Sequence, residues 1–552
     1  MRATETTQLL EPLIYDLSAP GRIGVNLPGC DVPEAPLPAE LLRADLALPE
    51  VGEVQVVRHF VKLSQLNYSI DQGLYPLGSC TMKYNPKVNE DAARLPGFAQ
   101  LHPLTDEEGA QGALFLMHEL QRWLGEISGF EAVSLAPAAG AQGEFAGILM
   151  IRQYHIDRGE GQRDIILVPN SAHGTNPATV TMAGMNVREL PSNDQGNVDM
   201  AALHAACEGE LRDRIAGMMI TVPSTLGLFE STILEVIATV HDAGGLMYMD
   251  GANMNALMAV VKPGELGFDV MHYNLHKTFS TPHGGGGPGS GAVGVNEKLR
   301  PYLPGPVVEI VEDPSPPGPL SHEGRGGEDS GASDKPEGAT YQVARDAKET
   351  GGRHNMSPLQ ESTEGNEEAP LYGFVMPEKS IGRMKAFHGN FGMHLRAYAY
   401  IRVYGNSGIR DVTRYAVLNA NYLRAKLMRT YTVPYPRYCG HEFVLEGHVD
   451  NVDEVHALDI SKRLMDYGFH PPTNYFPLIV PEALLIEPTE TEVKEDLDAF
   501  VEAMEAIAAE ARSDPQTLLN APHTAPVRRL DEVRAVKELV LCCAPALPVG
   551  AG

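Results

Sequence analysis

The chain of 552 residues is short of basic side chains, has no long apolar run, and scatters its few cysteines. Lys and Arg number 43 against 72 Asp and Glu, a formal charge of −29. Nucleic acid and anionic membrane surfaces need clustered Lys and Arg, so neither is expected as a partner. Charge of this sign speaks first to solubility. No run approaches the ~20 apolar residues that span a bilayer, so no membrane segment is expected. The first residues, MRATETTQLLEPLIYDLSAP, lack the basic start and apolar centre of a secretory leader. Cys30, Cys80, Cys207, Cys439, Cys542 and Cys543 form no C-x-x-C pair and no repeat. They read as reduced thiols in a cytoplasmic protein, with no metal site. No internal repeat is visible.

What the chain does have is 43% hydrophobic residues, enough for sizeable cores. From about 105 to 295 helical and strand patterns alternate. Phe115, Leu116, Leu120, Trp123, Leu124 and Ile127 recur at helical spacing. The apolar runs 164–169, 218–223 and 246–249 are short, and the first two stop at proline, as buried parallel strands do. Ile233, Val236, Ile237 and Val240 form a helical face between the last two. The expectation is an α/β domain with a parallel sheet, ligands gathering at the carboxyl ends of its strands.

Residues 312–370 are crowded with Gly, Pro, Ser and Glu, which predicts a disordered or loosely held insertion. Beyond it, Tyr422, Leu423, Lys426 and Leu427 suggest a helix and 442–445 a strand. Thr489 and Glu492 form a capping box before a helix carrying Val493, Leu497, Phe500, Val501 and Met504. The expected division is an N-terminal arm and loop segment (1–104), a large α/β domain (105–311), the insertion (312–370) and a smaller α+β domain (371–552).

Two motifs carry the chemistry. The run Met247-Tyr248-Met249-Asp250-Gly251 is a strand ending in Asp, and Lys277 follows in Asn274-Leu275-His276-Lys277-Thr278. This pair suits pyridoxal phosphate (PLP): the lysine amine forms the Schiff base, and the aspartate keeps the pyridine nitrogen protonated. The cofactor phosphate needs backbone N–H donors at a helix start. Gly140, Ala141 and Gln142 offer them, although a Gly-rich helix start with no ligand is the ordinary alternative. His173, in a loop after a strand, is a candidate to face the ring, or simply a surface histidine. Thr225 is a candidate donor to the cofactor's 3-oxygen, and His276 and Thr278 flank the lysine. Gly284 to Gly289 matches G-x-G-x-x-G, but a proline interrupts it and a strand pattern follows, so the dinucleotide reading fails.

Taken together, YPLGSCTMKYNPK, AAGAQGE, SAHGTNPA, YMDGANMNA and NLHKTFSTPHGGGGPG closely resemble the glycine-cleavage P-protein (glycine decarboxylase) family. KAFHGNFG, RAYAYIR, DYGFHPPTNYFPLIV, IEPTETE and NAPHTAPVRRLDEV agree, so the resemblance covers about residues 50 to 537. The chain is similar to the carboxyl half of the single-chain enzyme, the PLP-bearing subunit of the split bacterial and archaeal form. The resemblance implies a PLP-dependent fold type I (aminotransferase-like) architecture and decarboxylation of glycine, with the aminomethyl group passed to the lipoyl group of H-protein. It implies a heterotetramer with the homologous subunit 1, two subunits of each kind. It assigns Lys277 to the Schiff base, Asp250 to the pyridinium, His173 to ring stacking, the turn 140–142 to the phosphate and the loop 78–83 to the active-site wall. The insertion at 312–370 departs from the family pattern. Another fold type I enzyme, an aminotransferase or a desulfurase, is the alternative, and a non-catalytic partner subunit is argued against by Lys277. Cys80, with no evident activating base, is read as an inert thiol.

Overall fold

The computed structural model describes residues 11–33, 35–42, 48–282, 289–311 and 370–539. The glycine run at 283–288 and nearly all of the expected insertion at 312–370 lie outside the described residues.

The apolar runs become the centre of a seven-stranded sheet. Its strands are β1 (Ala132–Ser134), β2 (Ile165–Pro169), β3 (Asn186–Leu190), β4 (Ile215–Thr221), β5 (Leu246–Gly251), β6 (Val270–Asn274) and β7 (Gly291–Val295). They lie in the order β1-β7-β6-β5-β4-β2-β3. From β6 to β3 neighbouring strands are parallel, and β7 runs antiparallel to both β6 and β1. Alternate residues of one strand enter different cores. Ile165, Leu167, Met247 and Met249 pack against the helices Gln111–Ser128 and Ile233–Asp242. Ile166, Val168, Leu246 and Tyr248 pack against Gly140–Asp157 and Thr175–Met182. Both faces are covered, so the strands read as continuous apolar runs rather than alternating ones. The helix Gly140–Asp157 sits so close that a Cβ on Gly147 would fall 2.1 Å from the Tyr248 ring.

After β7 the hairpin β8 (Val307–Val311) and β9 (Leu371–Val375) pairs Val311 with Leu371. Gln111 clasps this hairpin through both backbone groups of Tyr372, at 2.8 and 2.9 Å. The residues on either side of the undescribed segment are therefore fixed to each other and to the large unit. The helix Phe391–Leu427, broken at Gly405, serves two cores. Ala397, Tyr400, Ile401, Ile409 and Val412 join the large one, and Ala420, Leu423 and Leu427 the small one. Packing thus passes from one unit to the other inside this helix, well after residue 371. The small unit is an antiparallel sheet of β10 (Phe443–Glu446), β12 (Ala483–Ile486) and β11 (Thr473–Asn474), in that order, backed by the helices Ala457–Asp466 and Lys494–Ser513.

The capping box expected at Thr489 does not form. The helix begins at Lys494 after Val493, which gives no side-chain cap. Thr489 has φ 64° and its hydroxyl pairs with that of Thr491. An N-cap needs extended backbone one step before the helix, and Thr489 is neither extended nor adjacent.

Candidate active site

A cavity of about 270 Å³ lies where β4, β5 and β6 end. Its lining brings together Lys277, Asp250, His173, Gly140, Ala141, Thr225 and His276. Four larger clefts, of about 740, 750, 630 and 300 Å³, lie away from all of these residues.

Asp250, next to last in β5, is in register with Thr221 of β4 and His272 of β6. Its carboxylate is buried and accepts from Asn176 Nδ2 and from the Ala252 N–H, both at 3.0 Å. His272 Nε2 stands 3.4 Å away, while its Nδ1 meets the Tyr248 hydroxyl at 2.8 Å. Burial alone would push the acid up. The neighbouring His272, these two donors and Lys277 outweigh it and hold Asp250 below the usual carboxylate range.

Lys277 lies three residues past β6, in a turn closed by its own N–H to the Asn274 carbonyl. Its Nζ donates to the Ser79 carbonyl at 2.8 Å. Gly140 and Ala141 open a helix whose fourth N–H, that of Gly143, is the first to reach back, to Ala139. The N–H groups of 140–142 therefore have no intrahelical acceptor, and two of the three residues line the cavity. A Cβ on Gly140 would come 2.6 Å from Asn274 Oδ1, a buried atom with no hydrogen-bond partner among the described residues. An anion seat at a helix start, a buried ionised carboxylate and a primary amine on one small cavity form a donor set that fits PLP.

His173 is held by Thr175, whose hydroxyl lies 2.9 Å from Nδ1 and donates to Glu144 at 2.9 Å. Its ring meets Phe476 of the small unit edge-on at 5.2 Å. The Thr225 hydroxyl donates to the Ser171 carbonyl, so its proton is engaged within the protein. His276 Nδ1 lies 3.3 Å from both backbone groups of Ser290. Gln142 and Thr278 do not line the cavity. Gln142 spans Ala138 N–H and the Met384 carbonyl, and the Thr278 hydroxyl accepts from the Met254 N–H at 2.8 Å.

The remaining walls come from far along the chain. The loop around Gly78 bridges to the small sheet: Leu77 pairs with Ile486, and the Gly78 N–H reaches the Leu485 carbonyl at 3.2 Å. A Cβ on Gly78 would lie 2.3 Å from the Leu485 side chain, so this crossing requires glycine. Ser79 has φ 65°, a left-handed backbone costing roughly 1–2 kcal/mol. Its N–H donates to Glu442 at 2.6 Å while its carbonyl receives Lys277. Buried Lys83 donates to the Thr278 carbonyl (2.7 Å), the Tyr400 hydroxyl (3.1 Å) and Glu490 (2.7 Å). Cys80 is pushed up by burial, against the pull of Lys277, which keeps it a thiol.

Glu144, Asn176, Lys83, Glu487 and Glu490 all lie in the motifs that carry the family resemblance, but of these the sequence places only Lys83, as one end of a loop in the wall. Glu442 is legible in the sequence only as the start of a strand, and His272 and His441 are not placed by it. For Glu442 the available signal was two polar residues, His441-Glu442, directly ahead of an apolar strand.

A family profile described as "Glycine cleavage system P-protein" matches residues 40–317, and one described as "Glycine dehydrogenase, C-terminal domain" matches 412–523. A protein of Chlorobium chlorochromatii (strain CaD3), named "Probable glycine dehydrogenase (decarboxylating) subunit 2", is 50% identical over 541 residues, covering 97% of this chain and 99% of its own. The chain belongs to the glycine cleavage system P-protein family. The crystal structure of a glycine decarboxylase P-protein in inhibitor-bound form superposes with a TM-score of 0.63 at 20% identity, over 85% of this chain and 93% of that one. An Oryza sativa TDC solved with PLP and tryptamine gives 0.59 at 13%, over 85% and 91%. At these identities the two structures show a common fold, which is fold type I.

Proposed function

We propose that this chain is the PLP-bearing subunit of a two-subunit glycine decarboxylase, passing the aminomethyl group of glycine to the lipoyl disulfide of H-protein. The observation that carries the reading is the meeting of Lys277 and Asp250 in one cavity at the carboxyl ends of β5 and β6. Lys277 would hold the cofactor covalently, the N–H groups of 140–142 its phosphate, and Asp250 its pyridine nitrogen. PLP bound there supplies an electron sink for the bond that releases CO₂.

The chain's own residues prepare that chemistry. Asn176, His272 and the Ala252 N–H keep Asp250 ionised and aimed. Thr175 and Glu144 fix the His173 ring in the wall. The Ser79 carbonyl holds the Lys277 amine within the cavity. His441 and Glu442 line the side opposite the large sheet, and Phe476 backs the His173 ring. No described residue lining the cavity is arginine or cysteine. An aminotransferase usually aims an arginine at the substrate carboxylate, and a desulfurase needs a catalytic cysteine, so neither is favoured.

Assembly with a homologous subunit 1, as a heterotetramer, is part of the same reading. The helix Glu53–Gln65 supports it by leaving Val54, Val57 and Phe60 more than half exposed. Among the described residues no helix is long and apolar enough to cross a membrane. The single buried thiols Cys207 and Cys439 suit the cytoplasm. Purifying the chain with and without subunit 1 tests the proposal. Cofactor absorption and bicarbonate–glycine exchange dependent on H-protein are expected from the pair, with poor exchange from the chain alone. A mixture that holds PLP yet performs no exchange would contradict it.

A further inference from the structure

The small unit sends two acids toward Lys277 that the chemistry described so far does not use. Glu442 precedes β10 and Glu487 follows β12, strands that pair with each other, so the topology itself brings the two together. They are 4% and 0% exposed, and an oxygen of each lies within 4.8 Å of the other and of a ring nitrogen of His441. Two carboxylates that close, out of water, resist ionising together unless hydrogen-bond donors hold both charges.

The hydrogen bonds decide which one keeps a proton. Glu487 accepts from Thr81 Oγ1 at 2.8 Å, from Asn253 Nδ2 at 3.0 Å on both oxygens, and from Asn255 Nδ2 at 3.2 Å. Glu442 accepts the Ser79 N–H, its one donor among the described residues. A carboxylate wrapped by donors is the one that tolerates charge. The proton therefore belongs on Glu442, which lines the cavity beside Lys277, whereas Glu487 does not.

We propose that Glu442 stands in the cavity as a neutral carboxylic acid and donates the proton that the group transfer consumes, with Glu487 as its ionised partner. This rests on the glycine decarboxylase reading above. In that reaction the C–C bond of glycine breaks and CO₂ leaves without the bonding pair. That pair ends in a new C–S bond to the acceptor, a cyclic disulfide. The S–S bond breaks, its pair stays on the far sulfur, and that sulfur takes one proton. Glycine in its zwitterionic form, the disulfide and one proton thus give CO₂, an aminomethyl thioether with its ammonium, and a thiol. Glycine is the reductant and the disulfide the oxidant. Glu442 recovers its proton from solvent before the next cycle.

The groups facing Glu442 fit this role. Burial and the nearby Glu487 push it up, against the Ser79 N–H and Lys277. Glu487 is itself raised by burial and by Glu490, against its donors and Lys277. Lys83 pairs with Glu490 and so is engaged elsewhere. His441, with Nε2 3.8 Å from Glu442, is pushed down to about 3 by burial and Lys277, so it holds no proton to give. Cys80 is a thiol raised by burial.

The test uses the PLP-loaded complex with subunit 1, comparing wild type with Glu442→Gln, Glu442→Asp and Glu487→Gln. Carboxyl infrared spectra across pH read protonation without turnover. A protonated-carboxyl component is expected to persist above about pH 6, where ordinary glutamates are ionised, and the difference spectrum of wild type minus Glu442→Gln should isolate it from the raised Glu492. Glu442→Gln should keep cofactor absorption and lose about 100-fold in aminomethyl transfer, together with the alkaline fall in rate that wild type shows. Glu442→Asp should regain part of the rate. Glu487→Gln should move the alkaline limb to lower pH, since the charge that raises Glu442 is gone; a merely structural role would leave the limb in place. A difference spectrum without that component, or Glu442→Gln with the wild-type rate, overturns the proposal. A wild-type complex that shows the component but does not decarboxylate glycine overturns the functional reading, and the donor role with it.

Discussion

The two walls of the cavity treat buried carboxyl groups in opposite ways. On the β5 wall Asp250 is held ionised, and on the wall made by β10 and β12 Glu442 and Glu487 are pushed toward the neutral form. All three are almost fully buried, so burial cannot be the difference. Asp250 and Glu442 each have a second carboxylate and an imidazole nearby, Glu144 and His272 beside Asp250, Glu487 and His441 beside Glu442. But Asp250 accepts from two hydrogen-bond donors with His272 at 3.4 Å, whereas Glu442 accepts from one and its imidazole is held neutral by burial and Lys277. Environments that separate the pKa values of neighbouring acids are how one site holds a fixed charge and a mobile proton together.

Lys277 is the cation that both walls feel, and removing it is the largest perturbation available. Lys277→Ala should abolish the visible absorption of bound cofactor and nearly all turnover while leaving the fold intact. It should also raise the acids on both walls, since it lowers Asp250, Glu442 and Glu487 alike. Absorption that survives in the variant would sink the site assignment.

Lys83 ties the walls together, joining the Thr278 carbonyl of one to Glu490 of the other. Lys83→Met strands a carboxylate that is 6% exposed, and losing one partner of a buried pair costs about 3–5 kcal/mol. The denaturation midpoint should fall accordingly, and Lys83→Met with Glu490→Gln should recover much of the loss. Equal midpoints for Lys83→Met and wild type would mean the walls are joined by other means.

Asp250→Asn tests the ionised wall by itself. The shape and the Asn176 contact remain, but the charge is removed. Activity should drop about 100-fold, or about 3 kcal/mol of barrier, with cofactor binding partly retained. Near-normal exchange would show that another acid serves the ring.

The asymmetry of the walls also explains what could be read in advance. The β5 wall is written in contiguous motifs: an apolar strand ending at Asp250, then Lys277 after the next strand. Runs 164–169, 218–223 and 246–249 stood out because both faces of those strands are buried. The opposite wall depends on contacts that join Ser79 to Glu442 across 363 positions and Thr81 to Glu487 across 406. No local pattern marks such pairs. Glu487 and Glu490 lie in one motif, IEPTETE, yet only the fold shows which pairs with Lys83 and which stands beside Glu442. Thr489 misled for the same reason: the spacing suited a cap, and the left-handed backbone that rules it out belongs to tertiary structure.

The smallest effect is a pH dependence of stability in the chain without cofactor. A carboxyl raised in the folded state contributes stability that is fully present below its unfolded value, about 4.3, and is lost as pH rises through the folded value. Glu442, Glu487 and Glu492 are all raised; burial and Asp496 push Glu492 up to about 7. Asp250 has the opposite sign, its contribution being lost only as pH falls through its lowered value. Below about pH 6.5 the buried histidines, His441 among them, oppose these acids because they must stay neutral in the fold, so the acids act alone only above that range. Denaturant titrations from about pH 7 to about pH 8, above the range in which unfolded histidines protonate, should show stability declining, by up to about 1.4 kcal/mol per pH unit for each proton released. Glu492 lies outside the cavity lining, so Glu492→Gln should make the decline shallower without disturbing Asp250 or Lys277. A wild-type profile that rises across this range, or a slope unchanged by Glu492→Gln, would show that the small-unit acids titrate as ordinary surface carboxylates and that the two walls do not differ.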